Sequence, residues 1–137
     1  LDRVLVPGRV DVEEGGVRAA VDVADVDRLG VSVHNVTVRG SGPGNLERCI
    51  EALPDALHAL PDRVAPTEVD PRLGGAVLRS APRKREFFEV RTDGREVSVE
   101  KHRVGPEGRT RVPFTLTREQ LGRVVEGAER ALGADED

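Results

Sequence analysis

Few residues in this chain can do chemistry beyond ion pairing, and their spacing limits each of them. The candidate ligands and nucleophiles are three histidines (His34, His58, His102) and one cysteine, Cys49. None of the histidines has a partner at metal-binding spacing: there is no HxH and no HExxH. Cys49 shares an apolar helical stripe with Leu46, Ile50 and Leu53, the setting of a buried structural thiol and not of an activated thiolate. The 25 acidic residues fall in turns and on solvated faces, where nothing separates a general acid from an ion-pair partner. Gly40-Ser41-Gly42-Pro43-Gly44 precedes a helix start at Asn45, a place where free backbone N–H groups can hold a phosphate. The Lys-Ser/Thr ending of a P-loop is absent, Pro43 has no N–H, and the spacing is not GxGxxG. The expectation is an ordinary strand–helix connection, with no catalytic residues, no metal and no cofactor.

The elements that must position any other site centre on residues 86–132. Asp93-Gly94 suits a type I′ hairpin turn, because both residues tolerate positive φ. A two-residue loop there sets Val90 opposite Val97, Phe88 opposite Val99 and Arg91 opposite Glu96. Four loop residues, Gly105–Gly108, then set Val99 opposite Phe114 and Val97 opposite Leu116. The expectation is a three-stranded antiparallel meander with its large apolar residues on one face, since a one-residue slip would expose them all. Thr117-Arg-Glu-Gln120 is a capping box, and Leu121, Val124, Val125, Ala128 and Leu132 make one helical stripe behind it. Glu119–Arg123 and Glu126–Arg130 are i,i+4 pairs in the favoured order, stabilising by about 0.2–0.5 kcal/mol each.

This register puts Phe87, Glu89 and Arg91 on the outer face beside Glu96, Ser98, Glu100 and His102, then Arg111 and Thr115. An exposed aromatic with flanking arginines is the minimum for stacking a base and touching phosphates. Arg83, Lys84 and Arg85 add positive charge just before the strand. The candidate nucleic-acid contacts are therefore Arg83, Lys84, Arg85, Phe87, Arg91, His102 and Arg111. Residues 1–78 hold 8 basic and 13 acidic side chains (−5), residues 79–131 hold 13 and 9 (+4), and the tail adds three acids, which sums to −4. A basic second half is a footprint for an anionic partner, although a solvated surface of mixed sign gives the same count.

Earlier in the chain, Val4–Val6 opens a first strand, and residues 9–13 and 16–24 form a hairpin around Glu14-Gly15 that sets Val12 opposite Val17 and Val10 opposite Ala19. Asp25–Gly30 is a turn or a short helical turn. Val31 and Val33 are out of phase with Val36 and Val38, which places a bulge at His34-Asn35. Asn45 caps a helix that Pro54 ends or kinks, and residues 54–60 restart a short second piece. Residues 61–73, with three prolines, read as the connector, and Ala76–Arg79 as a strand. The chain is expected to be one α+β domain, residues 1–137. It holds antiparallel curved sheet in two strand-strand-strand-helix halves (about 4–60 and 75–132), with the helices packed on one side. No segment reads as a bilayer span or signal peptide, and the single cysteine suits a reducing, cytoplasmic compartment.

Residues 85–132 resemble one repeat of the PUR family of purine-rich-element-binding proteins, whose fold is related to the Whirly single-strand-binding proteins. The shared order is an aromatic-bearing strand (Glu86-Phe-Phe-Glu-Val90), a second strand (Glu96–Val104), the Gly105–Gly108 loop, a strand ending Phe-Thr-Leu-Thr117, and a terminal helix. The resemblance covers about a third of the chain and implies paired repeats binding single-stranded DNA or RNA, with Phe87, Arg91, His102 and Arg111 as strand-face contacts. The acidic first half has no aromatics, and the outer face carries glutamates, which departs from that pattern. Two functions are therefore expected. One is a non-enzymatic domain that contacts single-stranded nucleic acid through the second-half sheet. The other is a protein-interaction or chaperone-like module acting as a homo-oligomer, most simply a homo-dimer, with no nucleic acid.

Overall fold

Alternating valines make the strands, and two capped helices cover one side of them. The computed structural model describes residues 4–14, 17–70 and 74–133. In chain order the elements are β1 (Gly8–Glu14), β2 (Val17–Val26), β3 (Val31–Arg39), α1 (Leu46–Ala56), β4 (Val64–Asp70), β5 (Gly75–Ser80), β6 (Glu86–Thr92), β7 (Glu96–Gly105), β8 (Gly108–Val112), β9 (Phe114–Leu116) and α2 (Arg118–Ala131). The strands form one nine-stranded sheet in the order β1-β2-β3-β7-β6-β5-β4, with β8 paired to β7 and β9 to β3. Every pairing between these strands is antiparallel. The architecture is α+β: an antiparallel sheet with two helices. Three strands and a helix describe residues 8–56, whereas six strands precede α2 in the remainder.

The two hairpin registers differ from expectation in the same way. Val10 pairs with Val21 and Val12 with Ala19; Val90 pairs with Val99 and Thr92 with Val97. Each strand is displaced by two residues, so every side chain stays on its expected face. The first turn, residues 15–16, lies outside the described residues. The second turn is longer than two residues because Asp93 folds it: its Oδ1 accepts from the backbone N–H of Arg95 at 2.8 Å and of Glu96 at 2.9 Å, an Asx turn.

The expected meander is corrected at its third strand. β8 keeps the anticipated register on β7, with Lys101 opposite Val112 and Gly105 opposite Gly108. Beyond Pro113, which has no N–H to donate, the chain leaves β7. β9 pairs instead with β3, Val31 opposite Leu116 and Val33 opposite Phe114. The place expected for Phe114 and Leu116 is taken by β3 itself, with Val36 opposite Val99 and Val38 opposite Val97. β3 thus has β2 along one edge, and β7 and β9 in succession along the other. The bulge at His34-Asn35 appears as a register shift against β2, and it turns Val31, Val33, Val36 and Val38 all to the buried side.

Three further expectations change. Residues 4–6 form no strand, although Leu5 is buried. The connector contains β4, where Pro66 sits beside a bulge between Pro66 and Glu68, an arrangement that an edge strand tolerates. Pro54 lies within α1, which runs on to Ala56 with no second helical piece; its missing N–H denies the Ile50 carbonyl the usual intrahelical donor, and the helix ends within a turn of it.

Both helices cap as expected. Asn45 accepts from Arg48 N–H at 3.1 Å, and Thr117 and Gln120 close a reciprocal capping box. α2 packs over β3 and β9, and α1 over β4–β6. The helices cross where Gly127 meets Ala56: a Cβ on Gly127 would lie 1.9 Å from the Ala56 carbonyl oxygen. One hydrophobic cluster joins Val21, Val33, Leu53, Leu78, Phe88 and Leu121 beneath them. Phe88 meets Phe114 edge-on at 5.2 Å. No helix among the described residues is long and apolar enough to cross a membrane.

Candidate binding face of the sheet

The other side of the sheet is not covered by helices, and β5–β8 place their outward residues there in rows. Arg79 pairs with Glu89, and Glu89 with Glu100. Phe87 pairs with His102, and His102 with Arg111. Two glutamates directly opposite each other repel, and the surrounding cations answer that repulsion. Glu89, only 2% exposed, accepts from Arg79 Nε at 2.9 Å and Arg91 Nε at 3.0 Å, with Arg109 at 3.2 Å. Glu100 accepts from Asn35 Nδ2 at 2.9 Å and Arg111 at 3.2 Å. His102 Nε2 lies between the two carboxylates, 3.1 Å from Glu100 and 3.7 Å from Glu89.

Burial by itself would raise the Glu89 carboxyl. Hydrogen bonds from Arg79 and Arg91, with the charges of Arg91 and Arg109, outweigh it and hold the group below the usual carboxylate range. Glu100 behaves alike: burial opposes, and Asn35, Arg111 and His102 together bring it down. Both groups are ionised near neutral pH, so the face carries opposite charges in contact.

Phe87 is closed off from solvent in this network, at 7% exposure. Its ring stacks on His102 with centroids 5.8 Å apart and planes 16° apart. The guanidinium carbons of Arg79 and Arg109 stand 6.0 and 5.7 Å from its centroid, a cation–π arrangement. The expected exposed aromatic is therefore corrected: long side chains from β5 and β8 cover the ring.

Of the candidate contacts, Phe87, Arg91, His102 and Arg111 come together on this face. Arg83, Lys84 and Arg85 occupy the turn leading into β6. Arg83 and Glu86 exchange backbone hydrogen bonds at 2.9 Å, and Lys84 and Arg85 take φ of 53° and 68° between them. Arg83 is paired with Asp62 at 2.8 Å; Lys84 and Arg85 are exposed and have no carboxylate partner among the described residues. Sequence reasoning missed Arg79, Arg109 and Asn35. Their signal was strand pairing: Arg79 becomes visible once β5 is aligned with β6.

The Gly40–Gly44 loop is occupied by the protein's own hairpin. Gly40 N–H donates to Arg95 O at 2.9 Å, and Arg95 Nε donates to Pro43 O at 2.9 Å. Gly44 and Gly94 both take positive φ (83° and 90°), and a Cβ on Gly44 would come within 2.7 Å of the Gly94 carbonyl oxygen. Cys49 is buried with Sγ 3.5 Å from Thr92 Oγ1, and burial pushes its thiol pKa up, opposite to what a nucleophile needs. His58 Nδ1 contacts Asp55 O at 3.1 Å. Among the described residues no group of three or more His, Cys, Asp or Glu side chains could hold a metal ion.

What this face can do is recognise shape and charge. A concavity of about 470 Å³ lies at its β4–β7 end, lined by Glu68, Val77, Arg91, Glu96 and Ser98 among others. Comparison with protein-family models, with curated proteins and with solved structures finds no match for this chain.

Proposed function

We propose that the chain is a non-enzymatic protein-interaction module that acts as a homo-oligomer. The observation that carries this reading is Glu89, which is buried on the open face and engages Arg79, Arg91 and Arg109. The guanidinium groups that a phosphate backbone would seek are already engaged by a carboxylate of the protein itself, so a phosphate would have to compete with Glu89 for them. Replacing Glu89 by a phosphate as their partner would strand a buried carboxylate. A face of interleaved opposite charges around a covered aromatic suits a protein surface of mixed sign.

A second reading, a domain binding single-stranded DNA or RNA, draws on Lys84 and Arg85, exposed cations just before β6 that have no carboxylate partner among the described residues. Two measurements on the same sample separate the readings. Binding of a labelled single strand is followed at about 50 and 200 mM salt, where phosphate contacts lose affinity steeply. Self-association is followed by sedimentation equilibrium. The protein-interaction reading expects no single-strand binding at the lower salt and a concentration-dependent oligomer. Salt-sensitive binding by a monomer overturns it in favour of nucleic acid.

A further inference from the structure

The two edges of the sheet are built differently. At the β4 edge, Pro66 and a bulge interrupt the ladder, devices that discourage another strand from adding. The β1 edge has neither. All seven of its residues pair with β2 in unbroken register. Among the described residues no strand pairs with its outer side. Gly8, Arg9, Asp11 and Glu13 are exposed, and just ahead of the strand Val4 and Val6 are 80% and 55% exposed.

The sequence of this edge is complementary to itself. We propose that β1 pairs antiparallel with β1 of a second copy of this chain, about a two-fold axis at Asp11, joining two sheets into one. This rests on the homo-oligomer reading above and specifies its interface. In that register Arg9 faces Glu13 of the second copy, and Glu13 faces its Arg9. Within one chain Glu13 already pairs with Arg18, and Arg9 pairs with Asp22. The open face therefore acquires a row Arg18–Glu13–Arg9–Asp22 that alternates in sign across the junction, and the two-fold repeats it. On the covered face, Val10 meets Val12 of the second copy, with Val21 and Ala19 flanking them. Val10 is buried and Val12 only half-buried, so the junction lengthens the apolar layer. The one like-charge contact, Asp11 against Asp11, is tempered because each has its own Arg9 at 2.9 Å. A two-fold contact of this kind closes on itself and puts the guarded β4 edges at the two ends of the joined sheet.

The test is a charge exchange on the full chain. In Arg9→Glu both charged pairs become acidic, and in Glu13→Arg both become basic. When the two variants are mixed, each new glutamate faces a new arginine. Sedimentation equilibrium is expected to show a wild-type dimer and about tenfold or greater weakening in either variant alone. The equimolar mixture should return to near wild-type affinity, a recovery that misfolded variants could not give. A wild-type dimer whose variants associate unchanged, or whose mixture is not restored, overturns the β1 interface while leaving the homo-oligomer reading intact. A wild-type monomer at millimolar concentration overturns both.

Discussion

The two faces of the sheet are built by different physics from the same strands. Under the helices, Val, Leu and Phe side chains are held by burial, which is non-directional and scales with area. On the open face, Phe87 and Glu89 are as well hidden as many core residues, yet long polar side chains do the covering, and hydrogen-bond geometry fixes them. Burial alone therefore does not tell which face is the core. A face closed by arginines can be opened by changing charge, whereas one closed by helices opens only on unfolding.

The largest expected effect lies at the helix crossing. Gly127→Val must push α2 off the Ala56 carbonyl, and a loss above about 4 kcal/mol, or failure to fold, is expected in urea titration. Phe88→Ala should follow at about 3–5 kcal/mol, through the cavity left against Phe114. Crossing to the open face, Glu89→Gln should cost about 1–3 kcal/mol, because it loses charge-assisted bonds while the half-exposed arginines regain water. Acidity sharpens the contrast. The carboxyls of Glu89 and Glu100 are held below their unfolded-state pKa. Their contribution is present above the unfolded value of about 4.3 and disappears as pH falls through the lower folded one. Thermal melts between about pH 6 and 2.5 should therefore lose stability most steeply below about pH 4.3, and less steeply in Glu89→Gln. Arg111→Ala, at the solvent-exposed rim, should shift stability by no more than about 1 kcal/mol. A larger loss there would mean that the open face behaves as a second core.

Local rules made much of this legible in the sequence. The capping box at Thr117, the N-cap at Asn45 and the bulge at His34-Asn35 each depend on neighbours within four residues. Side-chain facing was also legible in both hairpins, because it needs only the parity of the register. The pairing distance was not: Asp93 folds its turn through two backbone N–H groups, which the dipeptide Asp-Gly does not reveal. Contacts between distant segments were least legible. Nothing local to Phe114 shows that β3, some eighty residues earlier, takes the pairing it would otherwise have on β7. Phe87 was misjudged for the same reason. Its exposure depends on Arg79, one strand away on β5, and Arg109, two strands away on β8, and the assignment of those neighbours came only with the whole sheet.

β3 also sets the timetable of folding. Its first edge can zip onto β2 as soon as residue 39 has been made, but the other stays open until Glu96–Val99 and Phe114–Leu116 arrive. A nascent chain thus carries a half-finished, valine-rich strand until those later segments are made. Closing it requires contacts of high sequence separation, which places this chain among slow-folding topologies and makes that waiting edge its most aggregation-prone stage.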